Sequence, residues 1–430
     1  MKVKLTIKIR KRTLPQHLCR FLLLFPFTFG LLNDLLDFPN AIKYGMDVAW
    51  ASAVLLMVLY WRRIDVSRVR ELLLWVLIFL FATFLTYIPQ WQSGLYYLWG
   101  MRNNFRLYGA FFAWCLFMRQ EEACDCLKIL DKLFWLNLVV VLVQYLLLGK
   151  TDDYLGGIFG TQKGCNGFAN LFLCIMVTKS VLFCLHRRES VGNCLMKVSA
   201  AMVIAALAEL KFFFVETLVI LLLAVCFAPS RRRNLLLILG GGAAIGFGVL
   251  VLEWVFPNYS GFFSWNWMWE AATASRGYTS SGDFNRLNAI AKINDRFLIH
   301  WWDKLFGFGL GNCETSAFSA LNTLFFRKYG HLHYSWMSHA FWYLECGWMG
   351  LGFYMGFFVL LFLKLRFAER SCGIEMLPLC KTARIMALLC PLIAVYNSSL
   401  RTEAGYMVYF ILAIPFMHSG GDGKTGEVKR

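Results

Sequence analysis

The feature that most constrains this chain is the recurrence of apolar runs about as long as a bilayer is thick. A helix needs roughly 20 apolar residues to cross the hydrocarbon layer. Such runs fall near residues 21–36, 41–61, 71–89, 104–118, 133–149, 166–185, 196–210, 212–228, 234–256, 335–363, 383–399 and 404–418. The runs 196–210 and 212–228 are joined only by the Lys211 region, which suits two short, tilted or broken helices. In lipid every backbone N–H and C=O must be satisfied within its own segment, so these runs specify helices. The expectation is an all-α, polytopic transmembrane bundle of about 12 spans. Composition agrees: 59% of residues are hydrophobic and only 16% are charged, too few to cover a soluble domain of 430 residues.

The net charge of +17 would suggest nucleic acid in a soluble chain. Here the positive-inside rule accounts for it, because Lys and Arg accumulate in cytoplasmic loops. With the N-terminus in the cytoplasm, the inner segments carry 28 of the 43 Lys and Arg. The basic start, MKVKLTIKIRKRTLPQHLCR, lacks a small-residue cleavage site and reads as a retained cytoplasmic tail. The expected organisation is a bundle of about nine spans over 1–256, a large outer loop over 257–334, about three spans over 335–418 and a cytoplasmic tail over 419–430. A loop that long is usually functional, and its Trp and Phe content argues for folding down onto the bundle. The 14 Cys include no paired CxxC motifs, and most lie in apolar runs as small hydrophobes. No metal site or cofactor is implied.

Within the outer loop, DFNRLNAIAKINDRFLIHWWDKLFGFGLGN places Leu287, Ile290, Ile293, Phe297 and Trp301 three or four residues apart. That spacing predicts one amphipathic helix, with Asp283 as its N-cap and its apolar face at the lipid headgroups. Arg286, at the first turn, is placed to hold a phosphate. Arg276, Arg102, Arg106, Lys163, Lys211 and Arg401 complete a ring of cations at the outer mouth, which suits a lipid phosphate or diphosphate. GFGLG follows a helix rather than a strand, so a nucleotide loop is rejected; Gly307, Gly309 and Gly311 read as a tight turn or a close backbone approach. His339 is a candidate general base. Glu345, inside an apolar run, needs a partner, either an outer arginine or the Glu209/Lys211 corner.

The order of spans, the late outer loop and four local matches resemble the O-antigen polymerase (Wzy-type) and O-antigen ligase superfamily of bacterial membrane proteins. The matching stretches are GIFGTQKGCNGFANLFL at 157–173, AELKFFFVETLVILLL, NRLNAI…LFGFGLGN and SHAFWYLECGWMGLGFYMGFF. The resemblance implies metal-independent glycosyl transfer between undecaprenyl-diphosphate-linked oligosaccharides at the periplasmic face of the inner membrane. It implies Arg286 as the diphosphate clamp, supported by Arg276 and Arg401. His339 or His333 would be the base, with Glu345 orienting or replacing it. A chain-length regulator and a flippase would be partners. The alternatives are a ligase that moves glycan onto lipid A-core and, from another class, a transporter or flippase of lipid-linked sugars. AELKFFF, where ligases often carry a Ser/Thr-Arg step, favours the polymerase. A transporter would carry ionisable groups through the depth of the bundle, whereas here they crowd the outer end.

Overall fold

A computed structural model describes residues 13–227, 231–257, 264, 266, 269, 282–316 and 318–418. Among these the regular structure is helical, and a helix falls on each apolar run. The first nine are α1 (Leu14–Leu36), α2 (Gly45–Leu59), α3 (Arg70–Tyr87), α4 (Gly94–Phe117), α5 (Gln120–Leu146), α6 (Asn166–Leu185), α7 (Val191–Leu207), α8 (Lys211–Cys226) and α9 (Arg231–Val255). Three short helices follow between α9 and the next long helix: α10 (Ala289–Arg296), α11 (Trp301–Phe306) and α12 (Leu324–Tyr329). The last three are α13 (Ser338–Ser371), α14 (Leu377–Tyr396) and α15 (Gly405–Ala413). Seven of the described helices are long and apolar enough to cross a membrane: α1, α2, α3, α6, α9, α13 and α14. Helices α4 and α5 are long but carry charge, while α7, α8 and α15 are shorter, at 17, 16 and 9 residues.

Loops from alternate connections gather at opposite ends of the bundle. At one end, Arg68 Nη1 and Gln120 Nε2 both donate to the Met417 carbonyl, and Lys381 Nζ donates to the Phe227 carbonyl. At the other, the Asn166 side chain reaches the Ala208 carbonyl, and the Ser338 N–H and hydroxyl both reach the Asn397 carbonyl. The first set holds the basic loops and the second the polar, aromatic ones. Helix α6 runs through the middle and is buried along most of its length. Near its basic end a charged knot ties three helices together. Asp131 of α5 pairs with Lys179 of α6 and with Lys197 of α7, and Lys197 also pairs with Glu189. Charges of this kind persist in an apolar interior only when paired.

The segment 118–132, between the apolar runs 104–118 and 133–149, is mostly helix rather than loop. It forms the first turns of α5, where Glu121 and Glu122 face the positive end of the helix dipole and Glu122 accepts the Arg119 N–H at 3.1 Å.

The single amphipathic helix expected after Arg286 is two short ones. The chain leaves α10 at Phe297, whose N–H still closes on the Ile293 carbonyl while its ring turns edge-on to Phe325 and Tyr329, 5.1 and 4.8 Å between centroids. Ile293 is buried, but Leu287 and Trp301, expected on the same face, are each 61% exposed. Tertiary aromatic packing has overridden the local period. Asp283 is not the N-cap, because Asn288 holds that position and Asp283 is buried facing His333. Trp301 and Trp302 form an exposed stack of rings on α11 with the half-buried Phe306 behind them, which suits the headgroup zone.

Candidate functional site

The glycine-rich loop is locked onto α13. Phe308 N–H donates to the Leu344 carbonyl at 3.0 Å and Gly309 N–H to the Glu345 carbonyl at 2.7 Å. The Glu345 carboxylate accepts the Gly311 and Cys313 N–H groups, both at 2.9 Å. Its partners are therefore backbone amides of the loop, beside the charge of Arg401, and not the Glu209/Lys211 corner. Two glycines make the fit. Gly311 (φ 91°) lies against the Tyr96 carbonyl, where a Cβ would collide. Gly347 (φ 62°) breaks α13 and lets the Leu305 carbonyl come close. Glu345 is fully buried, so it serves as the clasp that holds the glycine-rich loop on the bundle.

Three of the expected arginines are bound into ion pairs. Arg401 donates Nε to Asn104 Oδ1 at 2.9 Å and Nη2 to Glu314 Oε1 at 3.3 Å, with its guanidinium 3.2 Å from the centre of the Phe341 ring. Asn104 Nδ2 also reaches Glu314, at 2.9 Å. Arg106, only 4% exposed, donates to Glu403 at 2.8 Å and to the Arg401 carbonyl at 3.4 Å. Arg102 grips both oxygens of Asp47. Burial pushes the Glu314 carboxyl up, against the pull of Arg401. Burial acts the same way on Glu403, but the charge and hydrogen bond of Arg106 win and hold it at about 2. In this network the expected anion sites are filled by the protein's own carboxylates.

Arg286 lies in a different setting. Its Nε donates to the Tyr396 carbonyl at 2.7 Å, and its guanidinium sits 4.1 Å from the centre of the Tyr396 ring. Phe212, the second residue of α8, also stacks on that ring, at 4.2 Å between centroids. The Arg286 backbone is fixed as well, since His339 Nε2 faces its carbonyl at 3.0 Å. The other nitrogen, Nδ1, faces the Ala394 carbonyl at 3.4 Å, and the ring is 5% exposed. With both nitrogens against carbonyls, His339 braces Arg286. The guanidinium is half-buried.

The surroundings of Arg286 are polar and aromatic together. Lys211, beside Phe212, pairs with Glu209 at 2.6 Å. The Asp152 carboxyl is pushed up to about 6 by burial and by its hydrogen bond and charge contact with Glu209. Lys163, on the same loop as Asp152, lies over the Trp336 ring at 5.9 Å, and Trp336 stacks on His333 at 3.8 Å. Burial pushes His333 down, and Asp283, 3.8 Å away, pulls the other way. Asp152, Glu209 and His333 all hold positive φ, of 54°, 55° and 54°. Non-glycine residues pay for that conformation, and it concentrates at functional sites.

Of the residues expected from sequence, the fold brings Arg286, His339, Lys211 and Lys163 toward one lip. It places Arg102, Arg106 and Arg401 in the paired network and Glu345 in the clasp. Arg276 lies outside the described residues. Sequence reasoning missed Tyr396, Trp336, Asp152, Glu314 and Glu403. The double aspartate after Lys150 and the aromatic residue ending a span were the available signals. Among the described residues no group of three or more His, Cys, Asp or Glu side chains could hold a metal ion. No protein-family model matches the chain, and no curated protein matches it.

Proposed function

We propose that the chain is a membrane glycosyltransferase that joins undecaprenyl-diphosphate-linked oligosaccharides: an O-antigen or surface-polysaccharide polymerase of the bacterial inner membrane. In this reading the bundle has about 12 spans, both termini are cytoplasmic, and the Arg286 lip opens on the periplasmic side. The observation that carries it is Arg286 itself, held at Nε by Tyr396, stacked on that ring and braced through its backbone by His339. A guanidinium fixed in this way is pre-organised to meet a diphosphate at a bilayer surface.

The chemistry follows from that placement. The acceptor sugar hydroxyl attacks the anomeric carbon of the donor, a new glycosidic C–O bond forms, and the bond to the lipid diphosphate breaks. Arg286 neutralises the charge gathering on the departing diphosphate, with Lys163 adding positive potential. The hydroxyl proton passes to the Asp152–Glu209 carboxyl pair, because His339 is occupied as a brace. The exposed aromatic stack of α11 sits in the headgroup layer and keeps the loop at lipid level.

The test is reconstitution of the full chain in vesicles with undecaprenyl-diphosphate repeat units. A ladder of longer lipid-linked glycans supports the polymerase. Product formed only on addition of lipid A-core assigns a ligase instead. Passage of lipid-linked sugar across the vesicle with no new glycosidic bond assigns a transporter and removes the transferase reading.

A further inference from the structure

At the end of the bundle opposite Arg286, two thiols face each other across the turn that joins α13 to α14. The Cys380 Sγ–H donates to Cys372 Sγ at 2.9 Å. A disulfide needs about 2.05 Å between sulfurs, so closure asks for a shift of under about 1 Å. The turn is compact: Cys372 N–H reaches the Glu369 carbonyl at 3.4 Å, and the Met376 and Leu377 N–H groups both close on Gly373. Cys372 is half-buried and open to solvent, while Cys380 is buried in the first turn of α14. The hydrogen bond from Cys380 also holds the Cys372 thiol below its usual range, against burial. One thiol is thus set to attack and the other to resolve, the arrangement that redox-responsive cysteines use.

We propose that Cys372 and Cys380 are a modification site, a dithiol that closes to a disulfide in the presence of a low-molecular-weight disulfide. The Cys372 thiolate attacks one sulfur of that disulfide and expels its first thiolate, giving a mixed disulfide. Cys380 gives up its proton and attacks the Cys372 sulfur, and the second thiolate leaves. The protein dithiol loses two electrons, and the small disulfide gains them, ending as two thiols with the two protons. In the proposed topology this turn is cytoplasmic, where a disulfide is transient and regulatory rather than a permanent brace.

The bond has a reach beyond the turn. The outer ends of the same two helices carry His339 on α13, and Ala394 and Tyr396 on α14, the frame that holds Arg286. A disulfide at the inner end staples the frame and restricts sliding of one helix on the other. That consequence rests on the proposed function; the bond itself does not.

The experiment treats the full chain in lipid nanodiscs with oxidised glutathione, then denatures it and alkylates every remaining thiol. The 14 cysteines are all free in the structure. The expected result is two fewer alkyl groups and a cross-linked peptide joining Cys372 to Cys380, reversed by a thiol reductant and absent in Cys372→Ser and in Cys380→Ser. Recovery of both residues as alkylated peptides after prolonged oxidation overturns the proposal, as does a stable glutathione adduct on Cys372 with Cys380 still free. In the vesicle assay, oxidation should slow wild-type elongation several-fold and leave Cys372→Ser unchanged. Full elongation by a completely cross-linked protein overturns the coupling to Arg286 and leaves the modification site standing.

Discussion

Two groups of cations at the same end of this bundle differ in what they face. Arg102, Arg106 and Arg401 meet Asp47, Glu403 and Glu314 in a network joined by Asn104. Arg286 and Lys163 lie over aromatic rings, Tyr396 and Trp336, near the solvent boundary. The first group spends its charge inside the fold. The second is held in position against ring faces, and a ring face orients a cation without itself neutralising it. Both groups lie at the same end of the bundle, so what a cation faces there is set by the partner that folding brings to it and not by its position along the bundle.

The contrast breaks most sharply at the locked half. Glu345→Ala removes the acceptor of two buried amides, Gly311 and Cys313, and should cost roughly 2–6 kcal/mol. Thermal unfolding in detergent reads this, and an unchanged midpoint would remove Glu345 as the clasp. Arg106→Ala strands Glu403 and should cost about 3–5 kcal/mol, whereas joint replacement of Arg106 and Glu403 by Met should recover most of that loss. At the lip the pattern inverts. Arg286→Ala should move stability by under about 1 kcal/mol and lower elongation at least tenfold, about 1.4 kcal/mol of transition-state stabilisation. Arg286→Lys should restore only part, because a point charge lacks the planar fork.

Asp152 gives a pH signature of smaller size. Its folded carboxyl is raised to about 6 from 3.8, so the folded state holds the proton more tightly. Stability is therefore highest below the unfolded value and is lost as pH rises from about 4 through 6, by about 1 kcal/mol once solvent screening is allowed for. Elongation should rise over the same window, because a base must be deprotonated. Asp152→Asn should flatten both profiles; a rate that stays pH-dependent through 6 in this variant assigns the proton to another group. The least effect belongs to Lys163→Ala, which should weaken lipid-diphosphate binding about two- to threefold at low salt and not at high salt.

Much of the fold was legible because a bilayer leaves few choices. Each long apolar run carries a helix, and the glycines of GFGLG mark a close backbone approach, as their spacing suggested. The local period failed where side chains had distant partners. The three-to-four spacing from Leu287 to Trp301 reads as one helix, yet Phe297 finds a better site among Phe325 and Tyr329, and the helix ends there. The cations were legible as a group at one end of the bundle. Which of them were neutralised was not, because Asp47, Glu314 and Glu403 come from three separate parts of the chain and meet the arginines only after folding. Glu345 was legible as a carboxylate needing a partner, but backbone amides carry no mark in sequence.

The most direct test of the central claim is equilibrium binding of undecaprenyl diphosphate to the full chain, compared across three proteins: wild type, Arg286→Ala, and the Arg106→Met, Glu403→Met pair. The expected result is tight binding by wild type, at least a tenfold loss in Arg286→Ala, and near wild-type affinity in the paired replacement. Full affinity in Arg286→Ala together with lost affinity in a folded Arg106→Met, Glu403→Met protein would contradict the account and move the site to the ion-paired network.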